Sequence, residues 1–496
     1  MTVEPVAAVL PGARRPCDTE LTEVIVDELR PAFAGDLIRP VDPDYEHARQ
    51  VWNAMVEFRP GLIARCTSTD DVVAAVRAAG RHNLLTSVRG GGHGVSGKAL
   101  SDGGLTIDLT GMRRVTVDAH RQLVTAQGGC LLGDVDAATA PHGVVVPAGI
   151  VSETGLPGLA LGGGIGWLSR KFGATCDNFQ SLQLVTADGE VLEVDTERHP
   201  DLFWALRGGG GNFGVVTEFR LRAHEFPTEI RLGLSVYRPE HAAEVLYEYA
   251  RRYPDLPDEF SWHAALKQSM PGLPFVPEPL RGQRVLLMFG MYLGDPDSAQ
   301  AIELTELVTT IGSPAAAATV VLPFAGRVQQ MLDAEFPNGR RYYTKEGHLD
   351  TLTPETIDTL LAAWQPLTVE GEIEVIGLGG AMASPRDDTA FPNRGSQWWL
   401  NFATHWGDKA DDTANVKQVR AAFNALRPWI GGCYANMLNF DEADRTVDAF
   451  GGPERYLRLG QVKAAYDPAN MFSGNGTVLP AVDTWIGSST GRERSP

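Results

Sequence analysis

Basic residues are scarce in this chain of 496 residues. Lysine and arginine number 43 against 62 aspartates and glutamates, which gives a formal net charge of −19. Nucleic acids and anionic membranes bind cationic surfaces, so this deficit argues against either kind of partner. No apolar run approaches the ~20 residues that a membrane-spanning helix needs.

Cysteine is also scarce, and its placement suggests neither disulfides nor a metal site. No CxxC pair and no neighbouring histidine pair occur, so we expect no disulfide framework, no structural zinc and no other metal. The N-terminus has no basic lead and no long hydrophobic segment of a secretory signal, so we expect a cytoplasmic protein. The five scattered cysteines are Cys17, Cys66, Cys130, Cys176 and Cys433.

Changes of composition along the chain predict several domains. Hydrophobic residues make up 43% and charged residues 21%, as in ordinary globular proteins, and this length suits two or three domains. An N-terminal segment poor in strand patterns is followed by short β-branched runs between glycine clusters. Longer strands and helices come next, and a glycine, asparagine and tyrosine texture returns near the end. The predicted segments are 1–55, 56–226, 227–428, 429–482 and a loose tail at 483–496.

The order of the predicted elements favours an α+β fold. A helix over 69–80 is expected to begin at a cap on Thr69 or Asp70, and strands at 182–186 and 191–194 form a hairpin. Beyond residue 227, strands in antiparallel order with helices between them predict a sheet covered on one face. These strands are predicted at 230–237, 283–292, 372–382 and 397–406, and the helices at 241–252, 298–311, 354–364 and 415–426.

Glycine is the abundant residue, with 54 copies, many of them in runs. Residues 92–97 and 209–214 match GxGxxG, but a Rossmann site needs a strand, a glycine turn and then a helix. The first match is followed by more loop, and the second lies between a predicted helix and a predicted strand, so we reject that fold. Residues 89–94, Arg-Gly-Gly-Gly-His-Gly, follow a predicted strand and can instead form a nest of backbone N–H groups for an anion. A tight turn is the structural alternative.

Several segments in one fixed order carry a resemblance to a known family. They are 89–94, 147–149, 162–167, 174–178, 208–214 and 456–472. Together, over about residues 40–480, the chain resembles the berberine-bridge-enzyme-like FAD-linked oxidases of the vanillyl-alcohol-oxidase superfamily. Within that group it is most similar to actinobacterial polyketide-tailoring flavoenzymes such as the enterocin Favorskiase.

The resemblance implies a fold and a covalently held cofactor. It implies an α+β protein with a two-subdomain PCMH-type FAD-binding domain, built from 56–226 and the C-terminal segment, plus a substrate domain with an antiparallel β-sheet covered by helices. It also implies that His93 carries the flavin 8α-methyl link and that Cys176 adds a C6 thioether. A small buried free thiol is the alternative for Cys176.

The resemblance further implies the positions that contact FAD. Most of them lie in the glycine-rich segments, and a few lie near the C-terminus. They are Arg89, Gly90, Gly91, Gly92, His93, Gly94, Gly128, Pro147, Gly149, Thr154, Gly155, Gly158, Gly162, Gly163, Gly164, Cys176, Asn178, Gly214, Val216, Tyr434, Asn436 and Asn475.

The sequence offers more than one candidate for the residue that accepts the substrate's proton. Many oxidases of the group have a tyrosine after an asparagine, but here Met437 follows Asn436. Glu374 lies where substrate strands of the group project a carboxylate toward the flavin, and Glu372 would share its face. Two carboxylates on one face can raise the pKa of one of them and make it a usable base, whereas two solvated glutamates are the alternative. The candidate catalytic residues are Glu374, Tyr343 and Tyr434, of which Tyr434 is also expected to shape the flavin pocket.

These features predict an FAD-dependent oxidase of a small molecule. It would abstract a hydride and a proton from an alcohol or activated C–H of a secondary metabolite, with O2 as acceptor and H2O2 as product. A flavin oxygenase that inserts oxygen into a polyketide-type substrate and a non-catalytic flavin-binding protein are the alternatives. Trp398 and Trp399 would face opposite sides of one strand, so one aromatic can line a pocket for an aromatic or polyketide-like ligand, although core packing is equally compatible.

Overall fold

The computed structural model describes residues 14–268, 276–384, 386–474 and 478–481. Asn475 and the predicted tail at 483–496 lie outside the described residues. The described chain mixes helices with four β-sheets, which confirms the predicted α+β class.

A four-stranded sheet and three helices form the first layer. Its strand order is β1-β2-β4-β3, with β2, β4 and β3 parallel and β1 antiparallel to β2. The elements are α1 (Thr19–Leu29), β1 (Asp36–Ile38), α2 (Tyr45–Ala48), β2 (Leu62–Arg65), α3 (Thr69–Arg81), β3 (Thr86–Arg89) and β4 (Leu105–Asp108).

Helix α3 begins at a capping box rather than at the predicted cap. The Ser68 hydroxyl accepts the N–H of Asp71, and the Asp71 carboxylate accepts the N–H of Ser68. Two backbone donors that the helix itself leaves unpaired are thereby satisfied. The predicted caps Thr69 and Asp70 are wrong, because both already lie inside the first turn.

A five-stranded antiparallel sheet follows, in the order β5-β6-β10-β8-β9. The predicted hairpin is confirmed, since Val185 pairs with Val191, and α7 precedes β10, the reverse of a Rossmann turn. The elements are β5 (Val115–Asp118), β6 (Leu123–Gln127), α4 (Leu132–Thr139), β7 (Val144–Val145), α5 (Leu156–Leu161), α6 (Ser169–Phe172), β8 (Phe179–Val185), β9 (Val191–Val194), α7 (Pro200–Leu206), β10 (Val215–Arg222) and β11 (His224–Glu225), the last pairing with β7.

The largest sheet has seven antiparallel strands in the order β15-β12-β14-β13-β17-β18-β16. Helices α8, α9, α10 and α11 pack on one face, so the predicted covered sheet is confirmed, although β13, β15 and β16 were not predicted. The elements are β12 (Glu229–Tyr237), α8 (Ala242–Arg252), β13 (Phe260–Gln268), β14 (Arg284–Tyr292), α9 (Ala299–Thr310), β15 (Ala316–Pro323), β16 (Arg341–Leu349), α10 (Pro354–Trp364), β17 (Glu370–Gly377), β18 (Trp398–Trp406) and α11 (Asp412–Leu426).

The alternation of side chains in β18 shows what each face of this sheet contacts. Trp398 and Leu400 are buried against the covering helices. Trp399 and Asn401 point the opposite way and line a cavity. Successive side chains of a strand leave on opposite faces, so every second residue of the central strands faces the glycine-rich part of the chain.

The C-terminal segment packs against the glycine-rich part. Helix α13 (Pro453–Tyr466) contacts α7, after the short α12 (Thr446–Ala449). Phe472 is fully buried in the core of the first layer, and Lys463 forms a buried ion pair with Asp467 while donating to the Asn212 carbonyl. The predicted domain boundaries stay predictions. None of the described helices has the length and apolarity to cross a membrane.

Candidate active site

A cavity of about 330 Å³ lies between the glycine-rich loops and the open face of the seven-stranded sheet. Its size falls at the lower end of small-molecule sites. One wall is formed by the loop at 90–94, and the other by alternate residues of β13, β16, β17 and β18. The two parts of the fold thus meet at one chemical site.

Of the 23 predicted site residues that the structure describes, 14 line this cavity. Those that do are Gly90, Gly91, Gly92, His93, Gly94, Gly149, Thr154, Gly155, Gly158, Gly214, Val216, Glu374, Tyr434 and Asn436. Those that do not are Arg89, Gly128, Pro147, Gly162, Gly163, Gly164, Cys176, Asn178 and Tyr343.

Several of the residues outside the cavity support its loops instead. The Arg89 guanidinium donates to the Ala48 carbonyl, and Gly128 donates to the Thr217 carbonyl across the sheet. A Cβ on Gly162 would lie 2.0 Å from the Asn436 Oδ1 atom, so this glycine permits close packing of two segments. Asn178 donates to the carbonyls of residues 172 and 174. These positions therefore shape the site without facing it.

The loop at 90–94 is built as an anion nest. The backbone N–H groups of these five residues find no acceptor within the described part of the chain. A Cβ added to Gly94 would meet no atom within 4 Å, so this backbone faces open space. Consecutive N–H groups that are not used inside the protein are available to bind a phosphate.

Two glycines of this loop allow a comparison of packing with ligand space. A Cβ on Gly91 would lie 2.4 Å from the Gly155 nitrogen, so Gly91→Ala is expected to destabilise the protein by about 1–3 kcal/mol. Gly94→Ala should leave the unfolding temperature of the flavin-free protein unchanged but lower its flavin content. Thermal unfolding and the flavin-to-protein absorbance ratio test both, and equal unfolding temperatures for the two variants would contradict this assignment.

His93 is a buried neutral imidazole on the loop wall. Its ring stacks on Trp52 at 4.3 Å between centroids, and Trp52 stacks on Tyr342 of β16 at 3.5 Å. Burial lowers the pKa of His93 to about 4. Its Nε2 atom is buried and has no hydrogen-bond partner in the described chain. A neutral ring nitrogen with nothing bound to it is chemically suited to nucleophilic attachment of a ligand.

Glu374 stands on the opposite wall. The carboxyl is fully buried, and its Oε2 atom accepts a hydrogen bond from Asn401 Nδ2 at 2.6 Å. Burial and the neighbouring Glu372 raise the pKa of Glu374 to about 8, although the Asn401 donor opposes the shift. The predicted carboxylate pair is therefore buried rather than solvated. Glu374 becomes a base above about pH 8 and carries its proton below it.

Tyr434 supports the glycine-rich wall from the C-terminal segment. Its hydroxyl accepts from the Gly164 N–H at 2.9 Å and from Asn436 Nδ2 at 2.8 Å. The same Asn436 amide donates to the Leu159 carbonyl at 2.9 Å. Burial raises the pKa of Tyr434, so the phenol stays protonated. Tyr434 and Asn436 lie as predicted at the pocket, where they fix the loop rather than offer a base.

Tyr343 lies on the wrong face to serve as a base. Its hydroxyl donates to Asp441 at 2.7 Å and accepts from Arg420 of α11, behind the sheet. Burial raises the pKa of Tyr343 above its usual range. Its neighbour Tyr342 is the residue that lines the cavity. The placement of Tyr343 corrects the prediction that it could take the proton, since the alternation of β16 turns it away.

Sequence reasoning also missed residues that fix the aromatic wall. Trp399 donates its indole N–H to Glu346 Oε2 at 2.9 Å, and the Tyr434 N–H donates to Glu346 Oε1 at 3.0 Å. Burial raises the pKa of Glu346 to about 7, with Arg445 opposing the shift. One buried carboxyl thus ties the sheet to the C-terminal segment. Residues 341–349, Arg-Tyr-Tyr-Thr-Lys-Glu-Gly-His-Leu, show no alternation of apolar and polar side chains, so the sequence carried no signal for this strand.

Cys176 is a buried thiol away from the cavity. Burial, followed by Asp177, raises the pKa of Cys176 far above its usual range, which keeps it protonated. None of the five cysteines, all of which lie in the described chain, lines the cavity. This placement corrects the prediction of a second attachment and favours the alternative of a packed free thiol.

Cys176→Ala tests this correction. The variant is expected to retain its flavin and an unchanged visible absorbance spectrum, because no thiol bond to the ring is lost. It should lose about 1 kcal/mol of stability from the small cavity left behind. A shifted flavin spectrum in Cys176→Ala would instead support the predicted thioether between Cys176 and the flavin.

Comparison with known proteins identifies the architecture. A family model described as FAD binding domain matches residues 60–195, and one described as berberine and berberine like matches residues 433–477. (R)-6-hydroxynicotine oxidase from Paenarthrobacter nicotinovorans is 30% identical over 468 residues, covering 90% of this chain and 97% of that protein. The chain belongs to the berberine-bridge-like FAD-linked oxidoreductases.

One further relative and one solved structure match nearly the whole length of this FAD-linked oxidoreductase. An FAD-linked oxidoreductase from Dictyostelium discoideum is 29% identical and covers 92% of this chain and 97% of that protein. The crystal structure of 6-hydroxy-D-nicotine oxidase from Arthrobacter nicotinovorans superposes with a TM-score of 0.78 at 25% identity, covering 91% and 99% of the two chains. The predicted family is confirmed, while the closer resemblance to the enterocin Favorskiase stays a prediction.

The residues present in this oxidoreductase fit FAD. The N–H groups at 90–94 suit its diphosphate, and the open backbone at Gly94 and Gly158 leaves room for a ligand. The partnerless Nε2 of His93 lies in the same wall. The glycine-rich side of the cavity can therefore hold FAD.

Proposed function

We propose that this protein is an oxidase that removes a hydride and a proton from a small aromatic secondary metabolite, at an alcohol or another activated C–H. The observation that supports it most is the placement of Glu374 and Asn401 across the cavity from the 90–94 loop. FAD, when bound, takes up two electrons from the substrate and passes them to O2, which yields H2O2.

Glu374 is the proposed proton acceptor. As a carboxylate it takes the substrate proton, and Asn401 fixes the carboxyl through the 2.6 Å hydrogen bond. Because burial raises the pKa of Glu374 to about 8, the ionised and active form gains population as the pH rises toward and through that value. Tyr434, which is already bonded to Gly164 and Asn436, positions the flavin side.

The walls of the cavity favour an aromatic substrate. Five aromatic side chains line it together with polar ones such as Thr154, Thr344 and Asn401, and the aromatic residues are Trp52, Trp167, Phe336, Tyr342 and Trp399. Flat rings stack on such walls, while a few polar groups fix orientation. The name of the relative from Paenarthrobacter nicotinovorans refers to a small aromatic molecule, which agrees with this proposal. Nucleic acid and membrane are not proposed as partners.

We further propose that FAD is attached covalently through His93. The neutral imidazole, its partnerless Nε2 and its place in the cavity wall support this attachment. Stacking on Trp52 holds the ring in one orientation, which a bond at a single flavin position requires.

Peroxide stoichiometry tests the proposed function. The purified holoenzyme is incubated in air with a panel of aromatic alcohols and amines that begins with (R)-6-hydroxynicotine, and both product and H2O2 are measured. One H2O2 per oxidised substrate supports the oxidase. Incorporation of ¹⁸O from labelled O2 with little peroxide would show an oxygenase, and photoreduced flavin that stays reduced in air would show a non-catalytic flavin protein.

A further inference from the structure

A buried ion-pair group lies on the sheet beside Glu374. Lys267 of β13 is directly opposite Glu372 of β17, and its Nζ atom lies 2.8 Å from Glu372 Oε2. The same Nζ atom lies 2.5 Å from Glu335 Oε2, in the segment between β15 and β16. Lys267 and Glu372 are 5% and 6% exposed. One cation is therefore shared between two carboxylates within the protein.

The strand register connects this group to the cavity. Glu372 and Glu374 are two residues apart on β17 and leave its same face. Asn401 is opposite Glu374, and Ala403 is opposite Glu372 on the next strand. Glu374 lines the cavity and Glu372 does not, so Glu374 is the member of this pair that can contact a substrate.

We propose that Lys267 is a positioning residue whose ion pair with Glu372 offsets the charge of that neighbour and thereby sets the proton occupancy of Glu374. This inference rests on the proposed function of Glu374. Burial opposes a charged ammonium, but Glu372 and Glu335 outweigh it and raise the pKa of Lys267, so the cation is permanent. Glu372 raises the pKa of Glu374 and Lys267 lowers it, so the buried cation limits the effect of the neighbouring carboxylate.

The other ionisable groups on this face do not replace Lys267. Burial lowers the pKa of His263 on β13 to about 3, and burial also lowers the pKa of His405 on β18. Burial raises the pKa of Tyr342 on β16, and His93 on the facing loop is neutral. These four groups are therefore uncharged at neutral pH. Lys98 also lines the cavity, and burial lowers its pKa. The charges that act on Glu374 are those of Glu372 and Lys267.

Stability alone is a poor explanation of this group. Burying one ammonium and two carboxylates carries a large desolvation cost, and apolar side chains of similar volume are commonly at least as stabilising. The three charges leave one net negative charge beside the cavity. This net negative charge lies beside the proposed proton acceptor, where it affects ionisation of Glu374 as well as stability.

Infrared difference spectra of the oxidised holoenzyme, recorded over a pH series without substrate, test the proposal. The C=O band of a protonated buried carboxyl disappears on ionisation, and the band of Glu374 is the one missing in Glu374→Gln. Lys267→Met is expected to move the loss of this band upward by about one pH unit or more, because the cation that offsets the charge of Glu372 is then gone. Lys267→Arg, which keeps the charge, should shift it much less.

Glu372→Gln provides the opposite sign and an independent variant. Removing that carboxylate should move the ionisation of Glu374 downward, even if Lys267→Met proves too unstable to purify. An unchanged midpoint in either Lys267→Met or Glu372→Gln would overturn the proposal, as would the absence of any band that depends on Glu374. A shifted band together with normal turnover by Glu374→Gln would support the role of Lys267 while contradicting Glu374 as the base.

Discussion

Replacing Glu374 by glutamine is expected to slow flavin reduction by substrate about 10²–10⁴-fold, the usual contribution of a general base. Glutamine keeps the shape of the side chain and can still bond Asn401, but it cannot accept a proton. Substrate binding should therefore change little. The measurement is anaerobic stopped-flow reduction with a substrate found in the peroxide panel.

Tyr343→Phe is the matched control for this prediction. It removes a hydroxyl from the same sheet, but one bonded to Asp441 and Arg420 behind it. We expect a parental rate of flavin reduction and a loss of about 1 kcal/mol of stability from the broken hydrogen bonds. A slow Tyr343→Phe variant beside a normal Glu374→Gln variant would return the role of base to Tyr343.

His93→Ala is expected to convert covalently bound flavin into flavin that acid releases. Parental protein precipitated with acid should keep its yellow colour in the pellet, whereas His93→Ala should release FAD into the supernatant. The reason is that the imidazole nitrogen is the only proposed attachment, since Cys176 does not line the cavity. Absorbance of the two fractions is the measurement.

His263→Ala serves as its control. His263 is also a buried, neutral imidazole that lines the cavity, but it lies on β13 in the opposite wall. The flavin of the His263→Ala variant should remain in the pellet after acid treatment. Parental protein that releases all its FAD would contradict covalent attachment altogether, whatever the variants do.

The glycine-rich loop could be predicted in detail because its chemistry is local. Five consecutive residues after a strand provide the N–H groups, and no distant contact is needed to recognise them. Residues such as Gly162 and Asn178 were assigned to the cofactor because they lie in the same motifs. Their partners, Asn436 and the carbonyls at 172 and 174, are known only from the folded chain.

The substrate wall shows where sequence reasoning stops. Glu374 was found because the family resemblance implies a carboxylate on this strand, and the alternation of the predicted strand then places Glu372 on the same face. Tyr343 was chosen in place of Tyr342 because β16 was not predicted, and a one-residue error of register turns every side chain to the other face. Lys267 could not be found at all, since its contact with Glu372 depends on the pairing of two strands about a hundred residues apart.

The pH dependence of anaerobic flavin reduction tests the central claim most directly. The rate in the parental enzyme should rise with pH and level off above about pH 8, because the pKa of Glu374 is raised to about that value and only its carboxylate accepts the proton. The rate in Glu374→Gln should be low and lack this rise. A parental rate that is constant or falls between about pH 6 and about pH 9.5 would contradict the account.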